Sequence, residues 1–130
     1  DNADIPLGTL TQSIFVGKQK ISYLEFCIAT HQSKGNGEIV ARLLDGQEIL
    51  AEQTFKLNEC SNNQWLTINC DNQLEIPEGK LLSLEISAQN LDGLEIYPWL
   101  SRGTGYPMNR LLINGKLTHY SALALSFFHK

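Results

Sequence analysis

The sequence predicts an all-β domain, a two-sheet antiparallel β-sandwich, and two patterns carry that expectation. The first is alternation. Leu24, Phe26 and Ile28 share one parity within 21–30; Leu82, Leu84, Ile86 and Ala88 alternate with Ser83, Glu85 and Ser87. Leu123, Leu125 and Phe127 alternate with Ala124, Ser126 and Phe128 near the C-terminal end. A period of two puts one face on a core and the other towards water, as antiparallel sheets require. The second pattern is turn chemistry at sandwich-like spacing: 34–37, Asp45-Gly46, 61–63, 77–79, Asp92-Gly93 and Asn114-Gly115.

Taken in order, the turns set the elements. Asp-Gly and Asn-Gly suit two-residue hairpins because both central residues need positive φ. Asp45-Gly46 should therefore join Glu38–Leu44 to Glu48–Leu57, and Asn114-Gly115 should join Arg110–Ile113 to Lys116–Tyr120. The segment 48–57 contains good helix formers, but its place directly after Asp-Gly makes it a strand. Nine or ten strands and no helix of normal length are expected. The predicted core is Leu24, Phe26, Ile28, Ile39, Leu43, Ile68, Leu82, Leu84, Ile86, Ile96, Leu125 and Phe127. Each such side chain contributes roughly 1.5–3 kcal/mol on burial, most of which conformational entropy offsets.

Composition bounds the function. The chain has 130 residues, 42% hydrophobic and 18% charged, which fits one folded domain over 1–130. It opens on Asp1 rather than Met, which reads as a domain cut from a longer protein. A net charge of −4 with scattered Lys and Arg argues against nucleic acid, which needs a basic patch. No apolar run reaches the roughly 18–20 residues of a membrane span, and no cationic start followed by an apolar stretch marks a signal peptide. Cys27, Cys60 and Cys70 cannot all pair, and all three are expected as thiols, which leans towards a reducing compartment.

Catalytic patterns are missing. Gly-x-Ser-x-Gly does not occur, and His31, His119 and His129 stand apart, the first and last reading as solvated. The cysteines stand singly, with no close His or Cys pair, which argues against structural zinc. Asp71, Asn72, Asn90 and Asp92 are loop-like oxygen donors for calcium, but Asx residues make such turns without a metal, and no cofactor is expected. Most of the nine glutamates alternate with apolar residues on strands, as solvent-face residues do, rather than pairing across a cleft as glycoside hydrolysis requires.

One stretch is unusual: the aromatic, glycine-rich run from Gly93 to Asn109. If Leu94 and Ile96 point inward, period 2 sends Tyr97 and Trp99 to the opposite face, followed by a loop with Arg102 and Tyr106. Aromatic faces stack on the apolar C–H side of sugar rings, and an Arg beside them takes hydroxyls. Tyr97, Trp99, Arg102 and Tyr106 are the candidate ligand-binding residues on that reading. The alternative is that Pro98 makes a bulge, flips the register and lets Trp99 cap the sandwich end. Trp65 poses the same choice: Leu66, Ile68 and Cys70 look inward and leave it outward, yet a strand-end Trp usually closes a core.

The order of features resembles a β-sandwich module of jelly-roll, galactose-binding-like type found in bacterial proteins that also carry glycosyltransferase domains. The matching residues are 11–15 (Thr-Gln-Ser-Ile-Phe), 24–30, 37–39 leading to 43–46, 65–69, 79–86, 95–99, 113–115 and 122–128. Ala122 stands where an Asp is common, which weakens a polar role there. The resemblance implies a carbohydrate-binding-module-like accessory domain, whose partners are a saccharide or glycoconjugate and the other domains of its parent chain.

Overall fold

A computed structural model describes residues 5–16, 19–30, 35–76, 80–102, 111–118, 120–122 and 126–128. Its strands are β1 (Thr9–Val16), β2 (Gln19–Ala29), β3 (Glu38–Asp45), β4 (Glu48–Lys56), β5 (Gln64–Ile76), β6 (Lys80–Gln89), β7 (Tyr97–Pro98), β8 (Leu100–Arg102), β9 (Leu111–Ile113), β10 (Lys116–Thr118), β11 (Tyr120–Ala122) and β12 (Ser126–Phe128). Among the described residues there is no α-helix, only a 3₁₀ turn at Leu57–Glu59.

The strands form an antiparallel sandwich. One sheet has six strands in the order β10-β9-β1-β6-β3-β4. The facing sheet runs β12-β2-β5, with β7 also paired to β2, and β8 pairs β11 in a small third sheet. All strand pairs are antiparallel. The chain thus changes sheets between β1 and β2, between β2 and β3, and on either side of β5. This long-range pairing closes one interior.

Alternation decides what fills that interior. Leu24, Phe26, Ile28, Ile39, Leu43, Ile68, Leu82, Leu84, Ile86 and Ile96 are all buried in a single cluster. The side chains of Leu125 and Phe127 lie outside the described residues. Leu7, Leu10, Leu57, Cys60, Leu100, Leu111 and Ile113 join the cluster. Phe26 packs edge-on against Phe55, linking β2 of one sheet to β4 of the other.

The hairpins form, with one shift. Asp45 pairs with Glu48, so the β3–β4 loop is Gly46-Gln47 rather than Asp45-Gly46. Gly46 takes φ +61 while Gln47 is not in the left-handed region, the pattern of a turn with Gly at its first central position. Asn114 and Gly115 both take positive φ, as expected of the β9–β10 hairpin. The Asn114 side chain also ties down the N-terminal segment. Its Oδ1 accepts from the backbone N–H of Gly8 and Thr9 at 2.8 and 2.9 Å, and its Nδ2 donates to the Pro6 carbonyl at 3.0 Å. A Cβ on Gly8 would meet that Oδ1 at 2.6 Å, so the close approach needs glycine.

No disulfide forms: Cys27, Cys60 and Cys70 are buried thiols. No helix among the described residues is long and apolar enough to cross a membrane.

Candidate saccharide platform on the four-stranded sheet

The outer face of the sheet containing β2, β5 and β7 carries the aromatic residues that the core leaves out. β7 is short because Pro98 lacks a backbone N–H, which confines it to an edge. Its ladder pairs Ile28 with Pro98 and Ala29 with Tyr97, and the Trp99 N–H extends it by donating to the Cys27 carbonyl at 3.1 Å. Ile96, Pro98 and Leu100 are buried, so Tyr97 and Trp99 point away from the core. Pro98 therefore does not flip the register, and Trp99 does not cap the end of the sandwich.

On the other side of β2, Trp65 stands opposite Cys27. One transverse row across the sheet thus reads Trp65, Cys27, Trp99, each about 4.8 Å from the next at the backbone. Trp65 is 49% exposed. The Trp99 indole is half-buried and directed: its Nε1–H donates to Asn63 Oδ1 at 2.7 Å. Asn63 lies just before β5 while Trp99 lies beyond β2, so this bond carries the indole over β2. That cover accounts for an otherwise odd pair of values. Cys27 and Ala29 belong to the outer face, yet they are only 8% and 1% exposed. Burial pushes the Cys27 thiol pKa up, opposed by a smaller effect of a hydrogen bond with the Ile28 backbone.

The turn before β5 is built to hold this arrangement. Asn63 sits at φ +60, a region that Asn tolerates better than most residues. Its neighbour Asn62 accepts a hydrogen bond from the Thr30 N–H at 2.9 Å, pinning the end of β2. The Gln64 side chain accepts from the Ser61 N–H at 2.8 Å and closes the turn. Tyr97 donates from its hydroxyl to Glu95.

Polar groups continue the face beyond the tryptophans. Glu25 pairs with Thr67, whose hydroxyl donates to the Glu25 carboxylate at 3.3 Å, and Tyr23 pairs with the exposed Asn69. A flat apolar ring beside hydroxyl, amide and carboxylate groups has the chemistry to hold a sugar, which is apolar on one side and polar at its rim.

The other predicted residues fall elsewhere. Arg102 ends β8 in the small two-stranded sheet, opposite Tyr120, rather than in the sheet that carries Tyr97 and Trp99. Tyr106 lies outside the described residues, as do His31, His119 and His129. Asn90 and Asp92 take φ +57 and +53 around the turn at Leu91–Leu94, the role of Asx residues in turns; the side chains of Asp71 and Asn72 lie outside the described set. Among the described residues, no group of three or more His, Cys, Asp or Glu is arranged to hold a metal ion.

Trp65, for which the sequence leaves both facings open, points outward, as its parity against the buried Leu66 and Ile68 requires. Asn63 is a contributor that sequence reasoning missed. Asn63 left no signal, because its role depends on a partner 36 residues away. Compared with protein-family models, with curated proteins and with solved structures, the chain matches none.

Proposed function

We propose that this domain is a non-catalytic accessory module that binds a saccharide or glycoconjugate on the outer face of its four-stranded sheet. The observation that carries the reading is the half-exposed Trp65 beside a Trp99 whose indole is already held by Asn63. An aromatic ring fixed before the ligand arrives loses little entropy on binding. Trp65 serves as the main stacking platform, Trp99 and Tyr97 lie across β2 from it, and Thr67, Glu25 and Asn69 take up the sugar hydroxyls in place of water. Arg102 stands in the separate β8–β11 sheet and is not part of this platform. Sandwiches of jelly-roll, galactose-binding-like build suit this work, and a glycosyltransferase-type neighbour in the parent chain is the matching context.

Affinity at one sugar site is modest, because each hydroxyl trades a water bond for a protein bond at little net gain. A glycan array followed by calorimetric titration tests the reading. Trp65→Ala should lower affinity about tenfold, or about 1.4 kcal/mol, with an unchanged β-type circular dichroism spectrum. Absence of binding to every glycan, or equal binding by the Trp65→Ala protein, overturns it.

A second reading, a module that positions a neighbouring domain, draws on Ile49, which is 52% exposed on the edge strand β4. Ile49→Ser should then weaken association with the adjoining domain while sugar binding is retained.

A further inference from the structure

Where the two sheets meet along their free edges, β4 and β5 flank an open cleft of about 400 Å³. Phe55 and Leu66 supply its apolar lining, and Gln53, Lys56, Glu59 and Gln64 its polar one. We infer that this cleft is a second subsite of the saccharide surface, receiving a further neutral sugar residue of an oligosaccharide whose first residue lies on Trp65. The inference rests on the saccharide reading of the aromatic face.

Three observations lead there. Gln64, Trp65 and Leu66 are consecutive on β5, so strand alternation puts Trp65 on the outer face and its two neighbours in the cleft. β5 is the last strand of its sheet, so platform and cleft lie on the two faces of one edge strand, with no further strand between them. A ligand longer than one ring reaches the cleft by passing over that edge. The lining chemistry then selects the class. One ammonium and one carboxylate cancel, and the remaining polar groups are neutral amides and a hydroxyl from Thr54, which suits a neutral polyhydroxylated ring better than an anion or cation. The volume lies at the small end of the roughly 300–1,000 Å³ range of ligand sites.

Strand addition along β4 is the competing use of this edge, and two features disfavour it. Glu48, Glu52 and Lys56 are exposed along β4, and charges of this kind discourage edge-to-edge pairing. The β3–β4 register also shifts between Leu43 and Leu44, an irregularity that breaks a continuous edge.

The test compares chain lengths. Neutral glucans, mannans, galactans and xylans, each as disaccharide and hexasaccharide, are titrated against the wild-type domain and a Gln53→Ala variant on β4, away from the turn that holds the tryptophans, with circular dichroism melts to verify folding. For the glycan that binds, the hexasaccharide should bind wild type about tenfold more tightly than the disaccharide. The Gln53→Ala protein should lose much of that advantage and keep its disaccharide affinity. Equal affinity of wild type for both lengths, or an undiminished advantage in the Gln53→Ala protein, overturns the cleft subsite while leaving Trp65 as a platform. Failure of every sugar to bind removes the saccharide reading itself, and the cleft subsite with it.

Discussion

On the outer face of the six-stranded sheet, Arg42 of β3 stands between Glu52 of β4 and Glu85 of β6, its cross-strand neighbours on either side. On the outer face of the other sheet, Cys27 of β2 stands between Trp65 and Trp99. The positions are alike, and the interactions at them are not. Arg42 contacts both carboxylates, with Nε–Oε2 2.5 Å to Glu52 and Nη1–Oε1 3.4 Å to Glu85, and these carboxylates raise its pKa against a smaller desolvation effect. All three side chains remain a third or more exposed, so water competes with every contact. Cys27 makes no ion pair and lies under a tryptophan. The charged row stays solvated, although Leu81 and Leu112 elsewhere on that sheet are also exposed, while the row on the other sheet is a small covered apolar layer left open at Trp65. The difference teaches where to look for function. The charged row needs no explanation beyond solubility and cross-strand pairing, whereas a large apolar side chain left in water beside a covered row does.

The largest expected effect is on the aromatic row. Trp99→Ala removes the indole from above Cys27 and Ala29 and leaves Asn63 without its donor. Half the burial of a core tryptophan implies about half its usual cost, so a loss of about 2 kcal/mol is expected. Chemical denaturation measures it. The same variant should expose the Cys27 thiol, and a thiol reagent should modify Cys27 in the folded Trp99→Ala protein faster than in wild type. Unchanged stability and unchanged thiol reactivity would mean that the indole does not cover β2, and the contrast between the two faces would disappear.

A smaller effect separates the bond from the backbone. Asn63 both accepts from Trp99 and holds a left-handed conformation. Asn63→Ala loses the hydrogen bond, worth about 1 kcal/mol net, and also the local polar side chain by which Asn offsets part of the roughly 1–2 kcal/mol cost of the left-handed region. Asn63→Gly loses the bond but carries no Cβ to strain at this φ. Stability should therefore fall in the order wild type, Gly, Ala, and an Ala variant as stable as Gly would show that the φ value is not what Asn63 is needed for.

These residues also mark how far the sequence could be read. Period 2 located β2 and β6, the Asp-Gly turn located β3 and β4, and ten predicted core residues are buried, because each depends on its own strand's parity and one face being in oil. The sequence leaves the facing of Tyr97 and Trp99 open between parity and a register flip at Pro98, and parity survives because the proline sits on an edge. Long-range geometry was not legible. Trp99 meets Asn63 only because β7 and β5 lie on opposite sides of β2, and nothing local to residue 27 says that an outward thiol will be covered. The turn at Gly46-Gln47 moved by one residue for a related reason. The exchange of pairing on β3, with its irregularity at Leu43/Leu44, decides the hairpin register jointly with the turn. Trp65 is readable from its own parity against Leu66 and Ile68, and that parity outweighs the tendency of strand-end tryptophans to close a core.

A pH dependence follows from the covered thiol. Burial favours neutral Cys27, so its folded pKa lies above its unfolded one. As pH rises, the unfolded chain gives up this proton first. The contribution to stability is complete below the ordinary thiol range and is lost as pH climbs through the raised folded value. Wild type should therefore lose more stability on alkaline titration than Cys27→Ala, read from denaturation midpoints at matched pH. Parallel curves for the two proteins would mean the site is wetter than its burial implies.

The smallest effect belongs to the charged row. Arg42 sits at the surface and meets carboxylates that water also solvates, so each ion pair trades one set of hydrogen bonds for another and is screened by salt. Arg42→Ala should leave the melting temperature nearly unchanged, and about 1 M salt should alter wild type and variant alike. Lys80 and Asp45, 3.1 Å apart at the hairpin end of the same sheet, should behave the same way. The apolar row has no such screening, so the Trp99→Ala loss should persist in salt. If instead Arg42→Ala lowered the melting temperature as far as Trp99→Ala does, and salt abolished the difference from wild type, the polar face would be holding β4, β3 and β6 together. The energetic asymmetry between the two outer faces would then vanish.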